Sequence, residues 1–154
     1  MKSFLRGVSL ALLLFALVTP GAEAQVYSSF GLGLASPVGD LGDTHDVGIT
    51  TRGQVGLSLL IADVHLQTGW TSFSASGDSP AEKDFSTFHA GAGARVGLGF
   101  IWIGANAAYF FGDGEEGVGF LPEAGLRIWH LEGVVDFRVD GDEKWGSARL
   151  SYRF

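Results

Sequence analysis

The sequence runs to 154 residues, with 17 acidic against 10 basic side chains, a formal net charge of −7 and 46% hydrophobic residues. That length holds one domain and is short for two, and the negative balance disfavours nucleic acid as a partner. With no cysteine, disulfide staples, thiolate metal sites and a cysteine nucleophile are excluded, and 24 glycines without a three-residue period exclude collagen.

The first segment reads as a targeting signal. Lys2 and Arg6 precede an apolar run over residues 8–18, and Ala22-Glu23-Ala24 is an A-x-A cleavage site before Gln25. Residues 1–24 are therefore expected to be a signal peptide and 25–154 the mature domain. The apolar run falls short of the ~20 residues that a membrane-spanning helix requires.

From Gln25 onward apolar residues alternate with small or polar ones, and this period of two recurs in eight segments. In the first, Val26, Phe30, Leu32 and Leu34 oppose Ser29, Gly31 and Gly33. In the second, Val47, Ile49, Val55, Leu57, Leu59 and Ile61 oppose Thr50, Arg52, Gln54 and Ser58. Val64, Leu66 and Trp70 then oppose His65, Gln67 and Thr71, and Phe88, Ala90, Ala92, Ala94 and Val96 oppose His89, Gly91, Gly93 and Arg95. The fifth segment sets Ile101, Ile103, Ala105, Ala107, Tyr109 and Phe111 against Gly104 and Asn106. In the sixth, Val118, Phe120, Ala124, Leu126 and Ile128 oppose Glu123, Gly125 and Arg127, with Pro122 marking an expected bulge because it donates no ladder bond. Leu131, Val135, Phe137 and Val139 oppose Glu132, Asp136 and Arg138 in the seventh, and Ala148, Leu150 and Tyr152 oppose Arg149, Ser151 and Arg153 in the last.

Tight turns are expected around Ala62-Asp63, Leu98-Gly99 and His130, and the remaining connections are longer and polar: SPVGDLGDTHD, SASGDSPAEKDFS, GDGEEG and DGDEK. Each segment has the ~9–11 residues with which a tilted strand crosses a bilayer. Short turns at one end and long loops at the other make an eight-stranded antiparallel up-and-down transmembrane β-barrel, with both termini on the short-turn side. The apolar face is bulky and nearly free of charge, whereas the opposite face carries glycines, small residues and a few long charged ones, which suits a cramped barrel interior. The apolar face is accordingly read as facing lipid, against the alternative of a soluble lipocalin-type barrel. Aromatic residues such as Trp70, Phe88, Tyr109, Phe111 and Phe120 near the long loops, and Tyr152 and Phe154 with Ile128 at the other end, are placed like interfacial girdles.

Over residues 25–154 the chain resembles the small eight-stranded outer-membrane barrels of the OmpA and OmpX class and the broader outer-membrane β-barrel domain family. The sharpest point of resemblance is the ending ARLSYRF, where Leu150, Tyr152 and Phe154 match the terminal signal that the outer-membrane assembly machinery reads in that family. The resemblance implies the outer membrane of a Gram-negative-type envelope, outer-membrane lipid as surroundings, a monomer and no cofactor.

The inward face collects Arg52, Glu123, Arg127, Glu132, Asp136, Arg138, Arg149 and Arg153 as a candidate interior charge network, with Arg95, His65 and His89 on the same face. Taking neighbouring strands at matched depth, Asp136 is expected near Arg149, and Glu132 near Arg127 and Arg153. Eight strands enclose little more than their own side chains, so these residues are expected to plug the barrel, with a narrow or gated porin-like transporter as the alternative. A lipid A-modifying enzyme is a further alternative. No histidine stands in the His-x-Ser pair of the deacylase barrels, and His45 with Asp78-Ser79 is a loose counterpart of the palmitoyltransferase residues. No catalytic residue is therefore assigned. The long loops hold Asp40, Asp43, Asp46, Asp78, Glu82, Asp84, Asp113, Glu115, Glu116, Asp140, Asp142 and Glu143 against Lys83 and Lys144. Divalent cations are conceivable partners there, although a solvated acidic rim accounts for the composition.

Deleting Phe154, or changing it to Asp, is expected to leave export intact and to impair membrane insertion. Loss of the heat-modifiable, protease-resistant form checks this, and a normal level of that form in the variant contradicts it.

Overall fold

The computed structural model describes residues 24–76, 83–114, 116–139 and 141–154. Strand β1 (Gln25–Val38) leads into a short helix, α1 (Asp40–Thr44), and then into β2 (Gly48–Ser58) and β3 (Ala62–Phe73). β4 (Phe85–Leu98), β5 (Ile101–Gly112), β6 (Gly117–Ile128), β7 (Leu131–Arg138) and β8 (Lys144–Arg153) follow. Each strand pairs antiparallel with the next, and β8 returns to β1, with Leu150 opposite Leu32, to close a barrel. Closure leaves no sheet edge, so the backbone is satisfied by its own ladders.

The alternation predicted in all eight segments is the one observed, and it is inverted relative to a soluble protein. Large apolar side chains, from Val26 and Leu32 on β1 to Leu150 on β8, point outward and are exposed, whereas the buried set is mostly polar or charged. The signal-peptide reading falls on residues that, apart from Ala24, lie outside the described ones.

Three details differ from the sequence expectation. The turn between β2 and β3 occupies residues 59–61, closed by the Leu59 amide donating to the Ala62 carbonyl at 2.7 Å. Asp63 therefore belongs to β3 in phase with His65, buried and pointing inward. Pro122 makes no bulge: the β5–β6 register runs through it without an offset, Gly104 opposite Glu123 and Asn106 opposite Leu121. Bonds from the Arg127 amide to the Phe100 carbonyl and from the Val139 amide to the Phe120 carbonyl show that even-numbered β6 residues turn their backbone toward β7. The amide missing at Pro122 is thus a β7-side bond, and the β6–β7 ladder stops one residue short of it, at Glu123 opposite Asp136.

The third difference is an apolar core inside the barrel at its long-loop end. Phe73, Phe85, Phe110, Leu121 and Trp145 are buried there with Leu41, which α1 delivers from above. Trp145 meets Phe73 and Phe110 edge-on, with ring centroids 5.9 and 5.7 Å apart, a geometry that aromatic quadrupoles favour. Every one of these strand residues is in the inward phase of its strand.

Long inward side chains need blank positions beside them. A Cβ on Gly33 would lie 2.6 Å from the Arg149 Cα and 2.7 Å from its Cγ, so Gly33→Val should destabilise the barrel by about 1–3 kcal/mol through overpacking. A methyl group placed on Gly133 would meet no atom within 4 Å, and Gly133→Ala should be close to neutral. Denaturant unfolding in detergent micelles measures both.

Candidate functional site: the interior charge network

Arg127 and Arg153 form the outer layer at the short-turn mouth, where both donate to Asp63 Oδ2, at 2.7 and 2.9 Å. Arg127 Nε also donates to Glu132 Oε1 at 2.6 Å, and Arg153 lies 3.5 Å from the same oxygen. The Arg153 guanidinium sits over the buried Tyr27 ring, 3.6 Å from its centroid. These arginines keep partial access to solvent, whereas the layer beneath has almost none.

Arg95 joins the two layers. Its Nη1 donates to Glu132 at 3.2 Å, its Nε to Glu123 at 2.7 Å and its Nη2 to Gln54 Oε1 at 2.8 Å, while its guanidinium lies over the Trp102 ring. Glu123 continues to Arg52 at 3.5 Å, Arg52 to Asp136 at 3.2 Å, and Asp136 to Arg149, with Ser147 donating to the other Asp136 oxygen at 2.8 Å. Side chains in this layer are at most 3% exposed. Charges taken so far out of water are tolerated only when paired; each one here has an opposite charge within 3.5 Å, and Arg52 is held by charge alone, its Nε and Nη1 making no hydrogen bond.

Two links decide what the network does. Arg52 lies on β2, whose ladder partners are β1 and β3, yet it pairs with carboxylates of β6 and β7. Arg95 lies on β4 and reaches Glu132 on β7 and Gln54 on β2. A side chain that meets a strand that is not its neighbour crosses the lumen, so these guanidiniums occupy the central space. Asp136 with Arg149, and Glu132 with Arg127 and Arg153, are brought together as neighbours on adjacent strands or across a single turn. Arg138 stands apart: it stacks 4.1 Å from the Phe110 centroid and 4.9 Å from that of Trp145, and pairs with Glu143 at 3.4 Å in the loop above.

Asp63 and Arg95 were not among the eight residues assigned to the network from sequence. Asp63 was lost to the misplaced turn, and with it the one carboxylate that stands opposite Arg95 in the β3–β4 register; the carboxylates that Arg95 does bond, Glu123 and Glu132, lie on strands that are not its neighbours. His65 Nε2 donates to Asn106 Oδ1 at 2.7 Å, and His89 packs on Phe110 at 5.3 Å. His45 sits at the long-loop end, where it bonds Thr44 Oγ1 at 2.8 Å and the Lys83 carbonyl at 3.2 Å and packs edge-on against Phe85. Asp78 and Ser79, its suggested catalytic partners, lie outside the described residues, as do Glu82, Glu115 and Asp140. Among the described residues no three His, Asp or Glu side chains are grouped to hold a metal ion.

The fold is shared with Neisserial surface protein A. Its crystal structure superimposes with a TM-score of 0.53 at 15% identity, covering 84% of this chain and 97% of that one. The solution structure of the de novo designed TMB2.3 gives a TM-score of 0.47 at 16% identity, covering 88% of this chain and 98% of that one. No family model matches the sequence, and no curated protein does.

Because Asp136 serves Arg149, Arg52 and Ser147 together, Asp136→Ala leaves two buried guanidiniums without their main carboxylate and should cost on the order of 3–5 kcal/mol. Removing Arg149 as well should recover only part of the loss, since Arg52 then keeps Glu123 alone. A double-mutant cycle on unfolding in micelles reads the coupling directly. Coupling near zero contradicts the buried pair and fits an open, water-screened lumen.

Proposed function

We propose that this chain is a small, monomeric integral outer-membrane barrel whose interior is a charged plug, and that it serves the envelope or cell surface through its long acidic loops. The observation that carries this reading is the pair of guanidiniums, Arg52 and Arg95, that cross the lumen to carboxylates on far strands. A continuous chain of ion pairs from Arg127 to Arg149 fills the cross-section that a solute path would need. Above it the aromatic core and Leu41 close the long-loop end.

Membrane insertion is supported by the outward belt. Residues such as Leu32, Val55, Leu66, Ile103, Val135 and Leu150 would face water in a soluble protein, each at more than half of its full exposure, which no folded soluble chain tolerates over a whole surface. The likeness to a barrel named as a surface protein points the same way. In this reading Leu150, Tyr152 and Phe154 act as the assembly signal, and no catalytic role is assigned. The two groups needed for acid–base catalysis would require a substrate-sized space that the paired carboxylates leave no room for.

Two measurements test the proposal. In planar bilayers the intact protein should give no steady conductance, and a stable open channel would favour the transporter reading. Labels at positions 105 and 106 should divide by face, with lipid-borne quenchers reaching 105 and not 106, because Ala105 points outward and Asn106 is buried. Access at 106 alone inverts the assignment of faces.

A further inference from the structure

The three short turns carry large apolar side chains at their tips. Leu60 is 92% exposed, Trp129 91% and Phe100 63%, and Leu98 at the end of β4 is 81% exposed. Residues 59–61, 99–100 and 129–130 include no aspartate, glutamate, lysine or arginine. Turns that stand in water are ordinarily built from polar residues and glycine. Trp129 makes the contrast sharper, because its φ of 56° is a left-handed conformation that glycine or asparagine adopts more readily than an aromatic residue.

These tips form a ring. Since a short turn follows every second strand, the β2–β3, β4–β5 and β6–β7 turns stand a quarter of the circumference apart, and Tyr152 and Phe154 take the remaining quarter beside β1. His130 links two of these sectors by donating from Nδ1 to the Arg153 carbonyl and stacking on Tyr152, which meets Phe154 edge-on. Inside the ring lies the charged mouth of Asp63, Arg127 and Arg153.

We propose that this collar lies in the headgroup layer of the bilayer leaflet on the short-turn side, so that the turns are immersed instead of standing clear in water. The inference rests on the reading of the outward belt as lipid-facing. On β5, β6 and β7 the collar continues directly into that belt: Ile101, Ile103, Leu126, Ile128 and Leu131 lie next to it on the strands and are exposed and apolar. A protein partner would cover one side of the rim, whereas apolar residues all around the circumference match a planar surface that surrounds the barrel. The depth is set by the backbone. Turn amides and carbonyls without ladder partners cannot enter hydrocarbon, but the wet headgroup layer satisfies them, and it is where tryptophan and tyrosine concentrate.

The chain has no cysteine, so single-cysteine variants report cleanly. Bimane attached at Leu60→Cys, Phe100→Cys and Trp129→Cys is to be compared with Ala105→Cys on the belt and Asp43→Cys on α1, in phosphatidylcholine nanodiscs open to solvent on both faces. The quenchers are a nitroxide on the lipid headgroup, a nitroxide deep on the acyl chain, and aqueous iodide. At all three turns the headgroup nitroxide should quench more than the acyl-chain one, and iodide should quench several-fold less than at position 43. If iodide reaches the three turns as freely as position 43 while the acyl-chain nitroxide quenches position 105, the collar stands in water and this inference alone fails. Protection at one turn and not the others overturns the ring. Absence of acyl-chain quenching at position 105 overturns the lipid-facing reading and the collar with it.

Discussion

A guanidinium that reaches across a lumen needs a carboxylate waiting on the far wall, and the interior of this barrel is organised by that requirement. Because the outward faces of all eight strands are apolar, every polar group that the alternation places on the other face must be satisfied within the small space that eight strands enclose. Arg52 and Arg95 meet the requirement by bridging strands that never touch through their ladders. The wall strands are thereby tied across the barrel as well as around it. Around them the chemistry is graded along the axis, from partly wet arginines at the short-turn mouth, through a fully desolvated pair layer, to aromatic rings at the long-loop end.

The glycine content follows from the same constraint. Long side chains in a narrow space need neighbours with no side chain of their own, and the structure supplies them beside the large inward groups. A Cβ at Gly104 would lie 2.8 Å from the Arg95 Cγ, and one at Gly125 would lie 2.6 Å from Cε2 of the Trp102 ring. At Gly93 it would be 2.8 Å from His65 Nε2. A composition that looks permissive in sequence is therefore a packing device, and replacing these glycines would push the charged layer out of register with its partners.

How much of this was legible in the sequence depends on the range of the interaction. Period two assigns each side chain to a face, so the eight strands, the apolar exterior and the inward arginines were readable from local pattern alone. Neighbour contacts such as Asp136 with Arg149 also follow from strand order. Contacts across the lumen do not, because they depend on which strands oppose each other after closure and on how far a guanidinium extends; Arg52 with Glu123 and Arg95 with Glu132 belong to this class. The inward aromatic core was readable in phase but was overlooked, since Phe73, Phe85, Phe110 and Trp145 sit near strand ends where aromatic residues are expected to face the membrane interface. Asp63 was missed for a local reason, a turn placed a few residues late along the chain.

The β6–β7 seam shows why the cross-lumen contacts matter most where the ladder is weakest. β7 has eight residues, and its ladder with β6 ends at the pair Glu123 and Asp136, beyond which Pro122 offers no amide. That last pair sets two carboxylates directly opposite each other, an arrangement that repels between adjacent strands. Arg52 arrives from β2 on the far wall and places one guanidinium nitrogen 3.5 Å from Glu123 and 3.2 Å from Asp136. The repulsion thereby becomes a clamp, because a single cation held between two carboxylates draws both strands toward it. Arg95 and Arg149 take up the other oxygen of Glu123 and a share of Asp136, so neither carboxylate depends on Arg52 alone. The seam that backbone hydrogen bonding leaves shortest is in this way closed by side chains, and its cohesion is set by residues on β2, β4 and β8.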